Sequence, residues 1–196
     1  MATTPNKDEN PIRPDQSDVV QTDLPDVGPS ADPAKIKRAK HATEALELIA
    51  EAGAPFLSRG DDSGTNIKEL DLWEDAGINP KGKGWYFESG KNMSDTLVMA
   101  SRQGSYTLTD IGTFLHMEKK LDLKVLFKGD PLLKNLYSVI AVNPDRYPKA
   151  RYREAMDFIA FVTSPEGQKL IAGYKKHGTS LFTPEAITSA SVKRKK

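Results

Sequence analysis

Apolar and polar residues are distributed along the chain in segments that predict helices alternating with strands. From Asp32-Pro33, a helix-start signal, apolar residues recur at helical spacing up to Gly53, which predicts the end of a first helix. The apolar run at 54–58 predicts a strand, and a second helix follows it. Its apolar face is predicted by four residues at helical spacing, Ile67, Leu70, Trp73 and Ala76. Its end is predicted by Gly77 and Pro80.

The same alternation continues through the second half of the chain. Strands are predicted at 84–90, 105–109, 121–127 and 136–144, the last a continuous apolar run that ends at Asn-Pro. Helices are predicted from Met93 to Gly104, after Thr109 or Asp110, from Tyr152 to Val162, and from Ser164 to about Tyr174. Strands that alternate with helices indicate an α/β fold with a largely parallel sheet.

Both ends of the chain are polar. Residues 1–30 contain many prolines and aspartates and few apolar residues, so we expect a mostly disordered leader, with Val19, Val20 and Val27 in short extended pieces. Residues 186–196 form a basic tail. Because nothing aromatic or amphipathic accompanies its lysines, we expect a solvated segment and no nucleic-acid partner.

Composition narrows the functional classes further. The net charge of +1 gives no argument for nucleic acid or an anionic membrane as a partner. The absence of cysteine excludes disulfides and thiolate metal sites. No apolar run approaches the roughly 20 residues of a membrane helix, and no signal-peptide pattern is seen at the N-terminus.

The segment Ser-Arg-Gly-Asp-Asp-Ser-Gly-Thr at 58–65 is the main candidate for chemistry. It lies between a predicted strand and a predicted helix, and a helix N-terminus attracts oxyanions through its unpaired N–H groups and partial positive charge. Arg59 would add a permanent charge and a planar set of donors, while Gly64 would allow close backbone approach. The hydroxyls of Ser58, Ser63 and Thr65 could donate as well.

Other interpretations of the same segment stay open. Asp62 or Ser63 could simply cap the helix, since such polar turns are common. Adjacent aspartates could also hold a metal ion, although no histidine is nearby and metal sites usually need three or four ligands. No nucleophile elbow, Cys/His pair or P-loop spacing is present, so the sequence does not predict an enzyme or a cofactor.

The loop and its surroundings resemble the tungstate-binding proteins of bacterial ABC importers, which belong to the type II periplasmic-binding-protein class. The similarity includes the loop at 58–65, the segments at 84–100 and 106–115, and "SPEGQ" at 164–168, which resembles a signature of the class. It extends over roughly residues 20–183. The resemblance implies a two-lobed α/β fold, a tungstate or molybdate ligand, an ABC permease as partner, and a periplasmic or extracellular location.

Site residues are carried over by position from the same resemblance. Arg59 and Thr65 would contact the oxyanion, with Ser58, Ser63 and Gly64 as neighbours. The helix start at Asn92 to Ser94 would also face the ligand, and the strand–helix junction at 106–110 is a weaker candidate. Trp85, Tyr86 and Met93 are expected to pack in the core.

The sequence departs from the family in one respect. The βα unit that opens the family's first lobe has no counterpart, and Pro25 and Asp26 interrupt the segment that would align with a hinge strand. We therefore expect one complete lobe at 31–135 and the returning half of the other at 136–185. Such a half-lobe would expose sheet edges and apolar helix faces, and binding would be weak.

Four alternative functions are compatible with this sequence. The first is a solute-binding protein for tungstate or molybdate, chosen over sulfate by cavity size. The second is the same fold binding phosphate, with Asp61 or Asp62 accepting the phosphate proton. The third is a metal-dependent hydrolase that uses Asp61, Asp62 and Asp110. The fourth is a degenerate remnant with no ligand.

Overall fold

The computed structural model describes residues 16–186 and divides the chain into two compact units. The larger unit comprises Thr22–Asn135 and Lys175–Leu181. The described part of the smaller unit comprises residues 16–21, Leu136–Tyr174 and residues 182–186. Most of the predicted basic tail, and the predicted leader up to residue 15, lie outside the described residues. No helix within 16–186 has the length and apolar character needed to cross a membrane.

The larger unit is an α/β layer structure, as the sequence predicts. Its main strands are β2 (Asp26–Pro29), β3 (Phe56–Ser58), β4 (Tyr86–Glu88), β5 (Thr107–Leu108) and β6 (Leu123–Phe127). Its helices are α1 (Ala42–Ala52), α2 (Gly64–Asp75), α3 (Met93–Gln103) and α4 (Ile111–Met117), with 3-10 turns at Ile36–Arg38, Glu118–Lys120 and Pro131–Leu133. A small hairpin, β8 (Lys175–Lys176) and β9 (Thr179–Ser180), completes it.

The sheet topology brings three helix N-termini to one edge. Strands β3 and β4 pair in parallel, and a parallel bridge between Phe56 and Tyr106 joins β3 to the start of β5. Strand β2 runs antiparallel between β5 and β6, so the prediction of a largely parallel sheet is wrong and the pairing is mixed. Since β3, β4 and β5 are each followed by a helix, the loops leading into α2, α3 and α4 all leave from the carboxyl ends of neighbouring strands.

The structure differs from the sequence-based expectation for the polar leader. Val19, Val20 and Val27 are extended, as expected, but they belong to the regular strands β1 (Gln16–Asp23) and β2 rather than to a mostly disordered segment. Pro25 does not interrupt a ladder, because it lies between these strands and its carbonyl accepts the Thr109 N–H at 3.1 Å. Asp26 is fully buried within β2. Burial and the nearby charge of Glu69 raise its pKa to about 8, which favours the neutral acid in the core.

The predicted helix from Asp32 to Gly53 is also different in part. The carboxylate of Asp32 accepts the N–H groups of Ile36 and Lys37 and so organises a 3-10 turn. Lys35 has a left-handed φ of 60°, which breaks the helical path, and α1 begins only at Ala42. The predicted end is confirmed, since Gly53 caps α1 with a φ of 59°.

Helix α2 turns a different face to the core than its apolar spacing predicts. Ile67 is 51% exposed, although we expected it on the buried face. The buried residues are Thr65, Asn66, Glu69, Leu72 and Trp73. Polar side chains occupy this face because they form hydrogen bonds inside the larger unit. The core predictions for Tyr86 and Met93 are confirmed, and Trp85 packs against the same core.

The smaller unit is built on a three-stranded sheet in the order β10-β1-β7. Strand β7 (Lys134–Ile140) begins in the larger unit, and β10 is Thr183–Pro184. Two helices, α5 (Tyr152–Thr163) and α6 (Pro165–Gly173), follow β7. The Gln168 amide ties them to the sheet by donating to the carbonyls of Val162 and Val19. Tyr137 and Ile140 of β7 are exposed.

Candidate functional site

The 58–65 segment forms a tight connection between β3 and α2. Strand β3 ends at Ser58, and Ser63 is the N-cap of α2, accepting the Asn66 N–H at 3.4 Å. Gly60 has a φ of 60°, and a Cβ there would lie 2.8 Å from the Cβ of Glu88. Glycine is therefore required at residue 60 both by backbone conformation and by the close approach of β4.

The first turn of α2 presents donors that are not used within the protein. Among the described residues, none accepts the N–H of Gly64 or Thr65 or bonds the Thr65 hydroxyl, although Thr65 is only 8% exposed. By contrast, the N–H of Ser63 is taken by Asp61 at 3.3 Å. Two backbone donors and a hydroxyl thus remain at the positive end of the helix, which is the arrangement that oxyanions prefer.

Arg59 supplies the cationic group beside this turn. Its Nη2 donates to Asp61 Oδ2 at 2.5 Å, and its Nε is buried without a hydrogen-bond partner among residues 16–186. Partial burial would raise the pKa of Asp61, but hydrogen bonds from Ser63 and Arg59 outweigh it and lower that pKa. The Asp61 carboxylate therefore bridges Arg59 and the start of α2, in the way an external anion would.

Ser58 does not have the free hydroxyl that the sequence suggested. The residue is 1% exposed, and its Oγ donates to Glu69. The same oxygen accepts the Gly60 N–H at 3.2 Å and the Asn66 Nδ2 at 3.0 Å. Its one hydrogen and both lone pairs are occupied, so Ser58 has nothing left to donate to a ligand.

Glu69, which the sequence analysis missed, is the centre of this network. Its Oε2 accepts from Ser58 and, at 3.2 Å, from Asn66; its Oε1 accepts from Trp73 at 2.8 Å and Tyr86 at 2.9 Å. Burial raises the pKa of Glu69, whereas the four hydrogen bonds favour its charged form. A carboxylate that accepts four donors is satisfied only when ionised. The one sequence signal was a glutamate four residues before a tryptophan on a helix.

The second helix start lies against the same loop. The N–H groups of Ser89 and Gly90 donate to the carbonyls of Ser58 and Arg59 at 2.9 and 2.8 Å. Asn92 is the N-cap of α3, and its amide is used locally, accepting the Asp95 N–H and donating to the Asp95 carboxylate, both at 3.0 Å. Ser94, in the first turn, is exposed and makes no side-chain hydrogen bond with the described residues.

The 106–110 junction and the aspartates of the metal hypothesis have other roles. Tyr106 donates to Asp32 at 2.9 Å, and burial raises its pKa. Asp110 caps α4 by accepting the Thr113 N–H at 2.7 Å. Asp61 is paired with Arg59. Within residues 16–186, no group of three or more histidine, aspartate or glutamate side chains is placed to hold a metal ion.

An open pocket of about 400 Å³ lies elsewhere, at the other end of α2. Its walls are Leu70, Trp73, Glu74, Gly77, Ile78, Asn79, Pro80 and Lys81. It contains none of the unpaired donors described above and is separated from them by most of the helix. The chemistry for binding an anion is therefore concentrated at the N-terminal end of α2, not in this pocket.

Comparison with known proteins identifies the fold and its relatives. A family model described as a PBP superfamily domain matches residues 12–166. A protein of Haloferax volcanii, named as a candidate ABC transporter anion-binding protein, is 50% identical over 176 residues, covering 87% of this chain and 51% of the relative. Tungstate-binding protein TupA of Peptoclostridium acidaminophilum is 41% identical and covers 88% of this chain and 61% of the relative.

A solved structure shows the same relationship in three dimensions. The tungstate-binding protein TupA from Desulfovibrio alaskensis G20 superimposes with a TM-score of 0.78 at 38% identity, covering 87% of this chain and 70% of that chain. The predicted resemblance and the predicted fold class are thus confirmed. The chain spans about half to three fifths of the length of these two curated relatives, at 51% and 61%.

Proposed function

The chain belongs to the periplasmic-binding-protein (PBP) superfamily, and from this premise we propose that it binds a tetrahedral oxyanion as the solute-binding component of an ABC importer. The observation that carries the proposal is the set of unused donors at the start of α2 beside Arg59. Tungstate is the first candidate and molybdate the second, because two of the relatives are named for tungstate.

Arg59 is proposed as the principal ligand-binding residue. A dianion would replace Asp61 on the guanidinium and would also give the buried Nε an acceptor. The N–H groups of Gly64 and Thr65, with the Thr65 hydroxyl, would complete the contacts, and Ser63 and Ser94 could add hydroxyls at the rim. Such a set of donors stabilises an anion without a metal or a cofactor.

We propose that Ser58 and Asn92 support the site without contacting the ligand. The hydroxyl of Ser58 and the amide of Asn92 are both occupied by internal hydrogen bonds. Neither side chain is expected to contact the oxyanion directly. Instead, Ser58 would hold the 58–60 backbone in place and Asn92 would hold the start of α3.

Calorimetry on the purified chain tests the proposal. Titration with tungstate, molybdate, sulfate and phosphate should give heat with at least tungstate or molybdate. Arg59→Gln should weaken binding by about tenfold to a hundredfold, as expected for loss of a charge-assisted hydrogen bond. The matched control is Arg102→Gln, an exposed arginine at the other end of α3. Absence of heat with all four anions in a folded sample would refute the proposal.

Phosphate is a further candidate ligand, for a specific reason. Protonated phosphate needs an acceptor, and Asp61 and Asp62 lie in the loop, whereas tungstate brings no proton. If this candidate is right, either Asp61→Asn or Asp62→Asn, made separately, should abolish phosphate binding. If tungstate is the ligand, neither change should abolish binding, and Asp61→Asn should tighten it because it removes the internal anion that competes for Arg59.

The cellular location of this chain and its transport partner are proposed from the names of its relatives. The importer assignment implies a permease as partner and a site outside the cytoplasmic membrane, where PBP-family solute-binding proteins act. Tungstate uptake by cells that express the chain with its permease would test this, with Arg59→Gln as the control. The remaining candidate, a remnant without a ligand, predicts a molten near-ultraviolet dichroism spectrum.

A further inference from the structure

Glu69 is an acidic side chain buried directly beneath a loop that we propose to bind anions. It is 2% exposed and accepts hydrogen bonds from the end of β3, from α2 and from β4. A buried negative charge under an anion site opposes binding by Coulomb repulsion. Glu69 must therefore contribute to the site in a way that outweighs this repulsion.

The two carboxylate oxygens of Glu69 contact different parts of the unit. Oε1 accepts from Trp73 and Tyr86, whose rings pack in the aromatic core with Phe56. Oε2 accepts from Ser58 and Asn66, which flank the loop. One oxygen therefore anchors the carboxylate in the core, and the other holds the loop.

Each side chain on Oε2 in turn holds one backbone N–H. The Ser58 oxygen accepts the Gly60 N–H at 3.2 Å, and the Asn66 Oδ1 accepts the Asp62 N–H at 3.1 Å. These two amides lie on either side of Asp61, the residue that pairs with Arg59. Because a carboxylate only accepts, it forces both side chains to point their donors inward and their acceptors toward the loop.

We propose that Glu69 is the positioning residue of the oxyanion site, setting the conformation of residues 58–66 so that Arg59 and the first N–H groups of α2 face the ligand. This inference rests on the proposed function. A neutral amide could not replace the carboxylate in either orientation, because its NH₂ group would meet the Trp73 N–H at the Oε1 position or the Asn66 donor at the Oε2 position. The proposal takes the second orientation, which keeps an acceptor for Trp73. Asn66 would then rotate and release the Asp62 N–H.

The test is the affinity of Glu69→Gln for tungstate, measured by calorimetry on the full chain. A positioning role predicts binding weaker by about tenfold or more, as for loss of well-placed hydrogen bonds. A purely electrostatic role predicts the reverse, since the change removes a negative charge beneath an anion. Equal or tighter binding by the variant would overturn the proposal.

Tyr86→Phe is the matched control for stability. It removes one donor from Oε1 and leaves Ser58 and Asn66 on Oε2 untouched. We expect a lower thermal midpoint with tungstate affinity changed less than threefold. If both variants lower affinity in proportion to their loss of stability, Glu69 has only a structural role and the proposal is wrong.

A ligand-free measurement separates this inference from the proposed function. In Glu69→Gln the amides of Gly60 and Asp62 should exchange with solvent at least tenfold faster than in wild type, while Leu57, bonded to Tyr106, keeps its protection. If wild type binds none of the oxyanions, the proposed function fails, and amide exchange alone decides whether Glu69 positions the loop. Unchanged exchange at Gly60 and Asp62 would refute it.

Discussion

The larger and the smaller unit of this chain differ in how they use their apolar residues. In the larger unit, Phe56, Trp73, Tyr106 and Phe114 are each at most 1% exposed. In the described part of the smaller unit, Ala141 and Ile159 are the buried apolar residues, and nine of the twelve large hydrophobic side chains exposed between residues 16 and 186 lie there. The proposed site belongs to the well-packed unit.

The comparison shows that local structure and burial have separate origins. Helix α6 has an ordinary N-cap, Ser164, whose side chain accepts the Gly167 N–H at 3.1 Å, whereas Arg151 at the start of α5 makes no capping hydrogen bond through its side chain. Nevertheless Phe158, Phe161 and Leu170 on these helices are exposed. Local sequence signals such as apolar spacing therefore predict a helix, whereas covering its apolar face needs an opposing surface.

The largest expected effect comes from truncating one aromatic residue in each unit. Trp73→Ala should lower the free energy of unfolding by about 3–5 kcal/mol, because it leaves a cavity and removes a donor from Glu69. Phe161→Ala, at a residue 48% exposed, should cost less than about 1 kcal/mol. Urea denaturation measures both. Similar costs at the two sites would contradict the contrast in packing.

A second effect depends on pH and concerns Asp26, the acid buried in the larger unit. Unfolded, Asp26 ionises near pH 4, whereas its folded pKa is about 8. The folded state therefore holds one proton more between these values, and stability falls as pH rises from 4 to 8, by up to about 1.4 kcal/mol per unit.

Asp26→Asn should remove this pH dependence, so that the variant gains on wild type as pH rises from 4 to 8. Below pH 4 the gain disappears, because Asp26 is then protonated in both states. The exposed Asp71→Asn is the control and should shift the urea midpoint little. An equal difference between Asp26→Asn and wild type at pH 4 and pH 8 would show that Asp26 is not neutral in the fold.

The smallest expected effect concerns two serine N-caps, one in each unit. Ser63→Ala and Ser164→Ala each remove a side-chain acceptor for an N–H in the first turn of a helix, at a cost of about 1 kcal/mol. Only Ser63→Ala should also weaken tungstate binding, by about threefold to tenfold, because it loosens the start of α2. Thermal melts with calorimetry measure both quantities. Loss of affinity in Ser164→Ala alone would place the site elsewhere.

Much of the local structure could be predicted because its signals are carried by single residues. Gly53 and Gly104 end α1 and α3 in left-handed conformations, and Asp110 caps α4, as expected. The strand–loop–helix arrangement around Arg59 and Gly64 was also predicted. The limits of a predicted element were wrong where a side chain such as Asp32 redirects the backbone through hydrogen bonds.

The sequence by itself determined the alternation of strands and helices, the capping residues and the set of donors in the 58–65 loop, because these depend on neighbours along the chain. Only the tertiary structure decided that Ser58 turns inward, that Glu69 lies beneath the loop and that Asp26 is buried. Each of these depends on residues distant in sequence. Glu69 enters the core because the fold supplies its hydrogen-bond partners, whereas neither carboxyl oxygen of Asp26 has a partner among residues 16–186, and burial there favours the uncharged form.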